Sequence, residues 1–430
     1  MSEKLIIEKF GPIKKMEIDL AKVLILIGPQ SSGKSTIAKL VTILKSTSFV
    51  IKNETFEEAL IKYGIGGYLE KDSFIQYSSP TYSFSYQNQT SKFETNIKQD
   101  FSKVLYEFKA LIGNITFPET GDYLTFFKKL KGYIKILEEM TDLELNPSSA
   151  DSEKENFKSR KKEEQLELSD LANKLKKEIL KFTNYAIYIP AERLFISMVA
   201  NSIMSLIKNE APIPNLLLEF GAAFEKARKN IGSYKIDFLD ISYKHINNED
   251  RVYLNKRKHI ELSKASSGLQ ALIPLLMVIQ DNLKNSAGGN IYVIEEPELN
   301  LYPEAQYELS KIISSICSEA SGDYERGNRV VITTHSPYIL TAFNNFLLAN
   351  KLGKDQHIEE VDKILPKNVW VTQADFNAYY VDGKKATQIF NKKTGLIADN
   401  QLDNASELIV GDFDELMELY SNKLLNGHAT

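Results

Sequence analysis

A short glycine-containing loop at residues 28–35 has the residue types and the spacing that phosphate binding requires. Gly28, Gly33, Lys34 and Ser35 match the pattern G-x-x-x-x-G-K-[ST] without a mismatch. Small residues in such a loop let successive backbone N–H groups turn inward and bind phosphate oxygens. Lys34 is expected to reach the β- and γ-phosphates, and the Ser35 hydroxyl is expected to bind Mg²⁺. The residues predicted to bind ATP here are Gly28, Pro29, Gln30, Ser31, Ser32, Gly33, Lys34, Ser35 and Thr36.

Two adjacent carboxylates, Glu295 and Glu296, follow the apolar run of residues 291–294. Open α/β sheets bind ligands at the carboxyl ends of their strands, and successive side chains of a strand point to opposite faces. The two acids can therefore have different functions. Glu295 is predicted to hold Mg²⁺, directly or through water, and Glu296 to orient or deprotonate the attacking water. The alternative is a solvated strand end beside the next helix, which explains Glu298 better than it explains the pair.

A histidine after another apolar run is the third candidate for catalysis. His335 follows the run of residues 329–332. A histidine at a strand end can donate a hydrogen bond to a γ-phosphate oxygen and so distinguish ATP from ADP. The remaining histidines have no such setting and are interpreted as ordinary: His245, His259, His357 and His428.

The segments that would position these residues are predicted to be strands and helices. The apolar run of residues 23–27 is typical of a buried parallel strand, and residues 35–41 are typical of the start of a helix. An ordinary glycine turn between the two is the alternative to a phosphate loop. Residues 235–242 and 251–262 alternate between apolar and polar side chains, which predicts two antiparallel strands joined by a turn at residues 247–250.

A further helix start is predicted at Ser266, Ser267 and Gly268, which precede the apolar run of residues 269–279. Serine is a favoured N-cap residue, so the first N–H groups of this helix are expected to be exposed. Pro274 predicts that the helix begins late or bends. The alternative is an ordinary capped helix of the core.

Together, these segments resemble the ATP-binding-cassette (ABC) type of ATPase head. The resemblance is to the AAA-family, SMC- and OLD-like branch of P-loop ATPases, which includes recombination ATPases and ATPases of bacterial anti-phage defence. Residues 295–303 look like its E-E-P-E-x-x-L-x-P form, and residues 333–337 look like its T-T-H-S-P switch. Residues 5–13 are similar to its first strand and turn. Residues 188–193 resemble a strand end of these proteins, which implies that Arg193 lies near the phosphates.

The resemblance also implies a dimer that encloses ATP between two heads. Ser266, Ser267 and Gly268 look like a degenerate signature motif, the segment that caps the nucleotide held by a partner head. Ser266 would then contact the γ-phosphate across the dimer interface. Two residues depart from the motif, since Ser267 replaces a glycine and Leu269 replaces a polar residue.

Composition and charge narrow the class of protein. A length of 430 residues exceeds the usual limit of a single core and predicts more than one lobe. A net charge of −4 gives no general reason to expect a nucleic-acid partner, which is possible but has no support in the sequence. One cysteine, Cys317, is incompatible with a disulfide framework. The N-terminus lacks the shape of a signal peptide, and the apolar runs are too short to cross a bilayer, so a soluble cytoplasmic protein is expected.

The predicted fold class is α/β: a P-loop NTPase with an ABC-ATPase-like head, a mixed parallel core sheet, an antiparallel β lobe and a compact helical insertion. Residues 408–414 resemble the strand and D-x-D of a metal-dependent nuclease, but a turn and helix cap is the favoured interpretation because only 16 residues follow. The predicted segments are residues 1–72 (first part of the core, with the phosphate loop), 73–184 (antiparallel strands and helical insertion), 185–350 (second part of the core) and 351–430 (C-terminal α/β extension).

The predicted function is an Mg²⁺-dependent ATPase that works as a dimer or higher oligomer. The resemblance implies that it controls a separate effector, a nuclease or a toxin, in bacterial anti-phage defence. One alternative is a scaffold that is clamped by ATP and hydrolyses little of it. Another is an ATPase of DNA repair or recombination, or of transport, and transport would need membrane partners.

Overall fold

The computed structural model describes residues 3–46, 49, 54–80, 82–95, 186–199, 208–209, 212–255, 257–285, 289–318, 327–354, 358–398 and 416–417. The helical insertion predicted between residues 97 and 184, and the segment 408–414, lie outside these residues.

The elements are named here in chain order. The described strands are β1 (Glu3–Phe10), β2 (Ile13–Leu20), β3 (Val23–Ile27), β4 (Leu69–Ser78), β5 (Tyr82–Gln87), β6 (Thr90–Thr95), β7 (Ala186–Ile189), β8 (Ser233–Ile236), β9 (Ile241–Ile246), β10 (Glu249–Tyr253), β11 (His259–Glu261), β12 (Ile291–Glu295), β13 (Arg329–Thr334), β14 (Phe376–Val381), β15 (Ala386–Gln388), β16 (Phe390–Asn391) and β17 (Leu396–Ile397). The described α-helices are α1 (Lys34–Lys45), α2 (Phe56–Lys62), α3 (Leu194–Val199), α4 (Asn215–Ile231), α5 (Ser267–Asn285), α6 (Pro303–Ser318), α7 (Pro337–Lys354) and α8 (Ile358–Ile364).

A mixed six-stranded sheet lies at the centre, in the order β15-β14-β3-β13-β12-β7. The strands from β14 to β7 are parallel to one another, and β15 pairs antiparallel with β14 at one edge. Strands β3 and β12 are buried at every position, which explains why their sequences are continuous apolar runs rather than alternating ones.

Helices and a second sheet cover the two faces of this central sheet. On one face, Val23, Ile25 and Ile27 pack in a core with apolar residues of α4, α5, α6 and α7. On the other face, Leu24 and Leu26 pack in a core with α1, α2 and the antiparallel strands β1, β4 and β5. Since alternate residues of one strand serve different cores, the sheet is held rigidly between two layers.

The remaining described strands form antiparallel sheets, as predicted for the first part of the segment 73–184. One sheet has the order β2-β1-β4-β5-β6, another has the order β11-β10-β9-β8, and β16 pairs with β17.

The turn predicted near residue 247 is present, but both predicted strands are divided. Residues 235–242 contain the end of β8, a 3-10 turn and the start of β9, because the chain turns at Asp240 with a φ of 50°. Residues 251–262 contain parts of β10 and β11. Asn247 and Asn248 join β9 to β10 with φ angles of 53° and 63°. Two consecutive left-handed residues are the requirement of a type I′ hairpin turn, which asparagine tolerates well.

A buried ionic cluster joins the antiparallel sheet to the central sheet, at the end opposite the carboxyl ends of the parallel strands. The Glu3 carboxylate accepts hydrogen bonds from Lys45 at the end of α1, from Arg329 at the start of β13 and from the Tyr77 hydroxyl of β4. Burial of Glu3 is compatible with its charge because two cations and a hydroxyl contact it.

The chain after residue 350 contains two departures from expectation. Strand β14 pairs with β3, so part of the predicted C-terminal extension lies within the central sheet. Trp370 and Val371, whose aromatic and β-branched side chains favour a strand, lie instead between two short 3-10 turns. The ring of Trp370 packs against Gly353 of α7, where an added Cβ atom would lie 2.1 Å from it. None of the described helices has the length and apolar character needed to cross a membrane.

Candidate active site

Three neighbouring parallel strands, β3, β13 and β12, have their carboxyl ends side by side in the central sheet. Each of these ends carries or precedes predicted site residues. Glu295 at the end of β12 is in register with Thr333 of β13, and Thr334 is in register with Ile27 of β3. The carboxyl ends of parallel strands are where α/β sheets bind ligands. The loop after β3, the acidic pair and the switch histidine are therefore brought to one place.

The loop between β3 and α1 has a backbone that two of its glycines make possible. A Cβ atom on Gly28 would lie 2.0 Å from the carbonyl oxygen of Val381, so only glycine fits against β14. Gly33 has a φ of 99° and is the N-cap of α1, with no side-chain cap. The first N–H groups of α1 thus have no side-chain acceptor and point toward the loop, which is the arrangement of an anion-binding helix start.

Lys34 is buried at the first position of α1. Its ammonium group donates to the carbonyl oxygens of Gly28, at 2.9 Å, and Pro29, at 2.7 Å. Burial lowers the pKa of Lys34 to about 8, and the nearby charges of Glu296, Glu298 and Glu295 oppose this shift. An anionic ligand bound in this loop would stabilise the charged form of the buried ammonium.

Glu295 is 5% exposed, and its Oε1 atom has no hydrogen-bond partner among the described residues. The buried hydroxyl of Tyr188 also has no hydrogen bond of normal geometry there, although it interacts with the Glu295 carboxylate. Burial raises the pKa of Tyr188 well above its usual value, and the negative charge of Glu295 raises it further. A buried, unpartnered carboxylate oxygen is costly unless it binds a cation. Glu295 and the exposed Ser35 hydroxyl of α1 are therefore suited to Mg²⁺, which uses few protein ligands beside phosphates and water.

Glu296 adopts a left-handed backbone conformation, with a φ of 42°. Its N–H donates to the carbonyl oxygen of Thr333 at 2.8 Å, and its side chain is partly exposed. The Nε2 atom of His335 lies 3.4 Å from Glu296 Oε1. The two side chains therefore face the same space, where a carboxylate can accept a proton from water and an imidazole can donate to a phosphate oxygen.

Glu298 holds the end of β13 in place. Its Oε1 atom accepts hydrogen bonds from the Thr334 hydroxyl at 2.6 Å and from the His335 N–H at 2.8 Å. This contact explains Glu298 more specifically than a position near a helix N-terminus does. The sequence signal was available, because Glu298 lies within the E-E-P-E pattern.

Gln306 is a second positioning residue, and sequence reasoning missed it. Its amide oxygen accepts from the Ser336 hydroxyl at 2.6 Å, and its amide nitrogen donates to the carbonyl oxygen of Leu301 at 2.8 Å. Gln306 is buried on the inner face of α6, so the loop after the acidic pair and the segment after β13 are tied to one side chain. A polar residue among the buried positions of an amphipathic helix was the available signal.

Arg193, expected from residues 188–193 to lie near the phosphates, contacts the backbone of the acidic pair and has no donor available for a phosphate. Its side chain is fully buried, and all of its N–H groups contact main-chain carbonyl oxygens. A guanidinium has five N–H donors, and none is left for a phosphate when each already has an acceptor. Arg193 is a scaffold residue of this site rather than a ligand.

The signature residues lie at the start of α5, as predicted. Ser266 and Ser267 are exposed, and α5 begins at Ser267, so it does not begin late because of Pro274. Gly268 is buried, and a Cβ atom there would lie 2.5 Å from the carbonyl oxygen of Asn300. The structure thus packs the signature segment against the loop that follows the acidic pair.

Comparisons with known proteins agree with this architecture. A family model described as "AAA ATPase domain" matches residues 1–340, and the predicted P-loop ATPase fold class is confirmed. No curated protein sequence matches the chain.

Solved structures with similar folds include two SMC heads and a recombination protein. The Smc head domain of Pyrococcus furiosus, bound to the C-terminal domain of ScpA, is 12% identical, with a TM-score of 0.34 over 95% of this chain and 98% of that one. The SMC head domain of Thermotoga maritima is 12% identical, with a TM-score of 0.34 over 80% and 92% of the two chains. The recombination mediator protein RecF-ATPrS is 12% identical, with a TM-score of 0.32 over 90% and 98%. Likenesses at this level carry no information about function.

Proposed function

The chain belongs to the AAA ATPase domain family and is an ATPase, and from this premise we propose how its residues carry out the reaction. The observation that supports the proposal is that the carboxyl ends of β3, β12 and β13 are in register. One cation (Lys34), two carboxylates (Glu295 and Glu296) and one imidazole (His335) follow or end these strands. Phosphoryl transfer to water requires this set of groups.

In this proposal, the backbone of residues 28–36 binds the phosphates of ATP, and Lys34 neutralises charge on the β- and γ-phosphates. Ser35 and Glu295 hold Mg²⁺, which supplies further charge neutralisation when it is bound. Glu296 orients the attacking water and accepts its proton. His335 donates to the γ-phosphate and responds to its loss.

Conversion of Glu296 to glutamine tests this mechanism. The Glu296→Gln variant keeps the size and hydrogen-bonding atoms of the side chain and loses its basicity. We expect kcat to fall by at least about 100-fold while ATP stays bound. Glu225→Gln is the matched control, because Glu225 lies on α4, is exposed and contacts Lys229. An unchanged kcat in Glu296→Gln, or an equal loss in both variants, would contradict the assignment.

A second copy of the chain is proposed to complete the site. Ser266 and Ser267 are exposed at the start of α5, and Tyr302, in the loop packed against Gly268, is 74% exposed. In this proposal Ser266, Ser267 and Gly268 of one copy cap the ATP held by the other. Light scattering of Glu296→Gln should detect a dimer with Mg²⁺ and ATP, and a monomer without nucleotide. A monomer under both conditions would contradict the dimer.

The partner proposed for this ATPase is a separate effector protein, a nuclease or a toxin, in anti-phage defence. The motif resemblance of residues 295–303 and 333–337 supports this part. Co-purification with the tagged product of a neighbouring gene, in the presence and absence of ATP, tests it. If control of the partner survives Glu296→Gln but not Lys34→Ala, the protein acts as a scaffold clamped by ATP. If it also survives Lys34→Ala, nucleotide use is incidental. If the chain instead binds DNA only with ATP, in a salt-titrated assay, a repair function replaces the defence proposal.

A further inference from the structure

Arg193 lies between the signature helix and the acidic pair, in the first turn after β7. Its side chain is fully buried. Burial lowers the pKa of Arg193 to about 10, and the charges of Glu298, Glu296, Glu295 and Glu192 oppose that shift, so the group is charged at neutral pH. The acceptors of its hydrogen bonds are the carbonyl oxygens of Ala271 (3.1 Å), Pro190 (3.1 Å), Glu295 (2.7 Å), Glu296 (2.8 Å) and Pro297 (3.4 Å).

Pro274 removes one helical hydrogen bond of α5. It has no N–H, so the carbonyl of Gln270 cannot form its usual bond within α5. The Ser197 hydroxyl donates to that carbonyl oxygen instead, at 2.7 Å. The next carbonyl along the helix, that of Ala271, accepts from Arg193, since a carbonyl oxygen can accept a second hydrogen bond. The segment after β7 therefore bonds α5 at two successive carbonyls, in the turn that follows Ser266, Ser267 and Gly268.

Three of the other four carbonyl groups belong to the turn that carries the general base, and the fourth is that of Pro190. Glu296 has a φ of 42°, a conformation that is unfavourable for a residue with a side chain and persists only when neighbouring groups enforce it. The bonds from Arg193 to the carbonyl oxygens of Glu295, Glu296 and Pro297 supply that enforcement on one side. The N–H of Glu296 is held on the other side by Thr333.

We infer that Arg193 is a positioning residue that makes the orientation of the Glu296 carboxylate depend on the position of the signature end of α5. One rigid, planar side chain bonds both elements, so a displacement of α5 moves the backbone of residues 295–297. The inference rests on the proposed function of Glu296 and adds a route by which contact at Ser266–Gly268 controls the hydrolysis step.

Substitution of Arg193 by lysine tests the inference, because lysine keeps the charge and cannot bond the carbonyls of both elements at once. We expect kcat to fall about 10–100-fold, since misplacement of a base by roughly 1 Å has that effect. The Kd of a slowly hydrolysed ATP analogue should change by less than about threefold, because Arg193 does not contact the phosphate loop. Ser197→Ala is the matched control. It removes a bond to the same helix without touching residues 295–297, and should lower the unfolding midpoint while kcat stays within about twofold.

The double variant of Arg193→Lys and Glu296→Gln distinguishes a positioning role of Arg193 from a general loss of stability. If Arg193 acts through Glu296, Arg193→Lys should cause no further loss of kcat in the Glu296→Gln background. A residue that only stabilises the fold would give additive losses. Wild type and Glu296→Gln are measured in the same series. If the wild type does not hydrolyse ATP, the proposed function fails and this inference falls with it. If only Arg193→Lys keeps its kcat, the inference alone is overturned.

Pro274→Ala is a second test of the inference, which applies if Arg193→Lys does not fold. Alanine restores the N–H that bonds the carbonyl of Gln270, so α5 should become more stable and its signature end should shift relative to the segment that carries Ser197 and Arg193. We expect an unchanged or higher unfolding midpoint together with a kcat lowered about 5–10-fold, at unchanged analogue Kd. A higher midpoint with wild-type kcat would overturn the inference.

Discussion

His335 and Glu296 face each other across 3.4 Å, although 39 positions separate them in the chain. The main chain of His335 is fixed independently, by the bond from its N–H to Glu298. The imidazole can therefore turn toward a phosphate while its backbone stays in register with the acidic pair.

Removal of the imidazole is expected to slow hydrolysis more than it weakens ATP binding. His335→Ala should lower kcat about 10–100-fold, because a donor to the transferred phosphate contributes mainly in the transition state. His335→Gln keeps an N–H donor and should recover part of the loss. Steady-state assays measure kcat, and equilibrium dialysis measures Kd. Equal effects of the two variants on Kd alone would contradict the role of His335.

The pKa of Lys34 predicts a pH dependence of ATP binding. With a pKa of about 8 in the free protein, the ammonium is charged below that pH and loses its proton above it. Bound phosphates favour the charged form, so the affinity should be constant below about pH 8 and fall by up to about tenfold per pH unit above it. Calorimetry at pH 8 in two buffers should detect proton uptake on binding.

The control for this dependence is Lys34→Arg, which keeps its charge throughout. Its residual affinity should not vary between pH 7.5 and 9.5, above the range in which ATP itself titrates. A wild-type affinity that is equally flat would show that Lys34 stays charged and does not titrate with binding.

Glu295→Gln should raise the Mg²⁺ concentration needed for activity. The buried Oε1 atom of Glu295 has no hydrogen bond of normal geometry among the described residues, so loss of its charge acts mainly on a bound cation. We expect the half-saturating Mg²⁺ concentration to rise about 10-fold or more, with partial recovery at high Mg²⁺, which a lost contact with Tyr188 alone would not produce. Glu225→Gln should leave the Mg²⁺ titration unchanged. Loss of activity that no Mg²⁺ concentration restores would argue against a metal-binding role.

Gly268→Ala should separate the signature segment from the loop behind it. The added methyl would lie 2.5 Å from the carbonyl oxygen of Asn300, which is backbone and cannot turn aside. We expect a destabilisation of about 1–3 kcal/mol and a loss of ATP-dependent dimer, measured by denaturant unfolding and light scattering. Gly67→Ala is the matched control, because no atom lies within 4 Å of its added Cβ. Equal stability and dimer formation in both variants would contradict the packing.

Parts of the site that depend on local pattern were predictable from the sequence. A continuous apolar run followed by a polar residue marks the end of a buried parallel strand. This rule predicted that the loop after β3, Glu295 and His335 all lie at the carboxyl ends of the strands. Gly33 and Lys34 were recognisable because the loop and its helix are contiguous in the chain.

Parts that depend on contacts between distant segments were not predictable. Strand β14 pairs with β3 although about 350 residues separate them, and a short strand of mixed aromatic sequence carries no signal of its neighbour. The resemblance implied only that Arg193 lies near the phosphates, because its motif indicates a strand end and not what the side chain meets. Its acceptors lie near residues 271 and 296, which are distant from Arg193 in the chain.

The most direct test of the central claim, that residues scattered over the chain form one ATP and Mg²⁺ site, is equilibrium binding of ATP to three purified full-length proteins. With Mg²⁺ present, the wild type and Glu296→Gln should both bind ATP, and Lys34→Ala should lose binding by at least about 100-fold. A folded wild type that binds no nucleotide, or a Lys34→Ala variant that binds as well as wild type, would contradict the account.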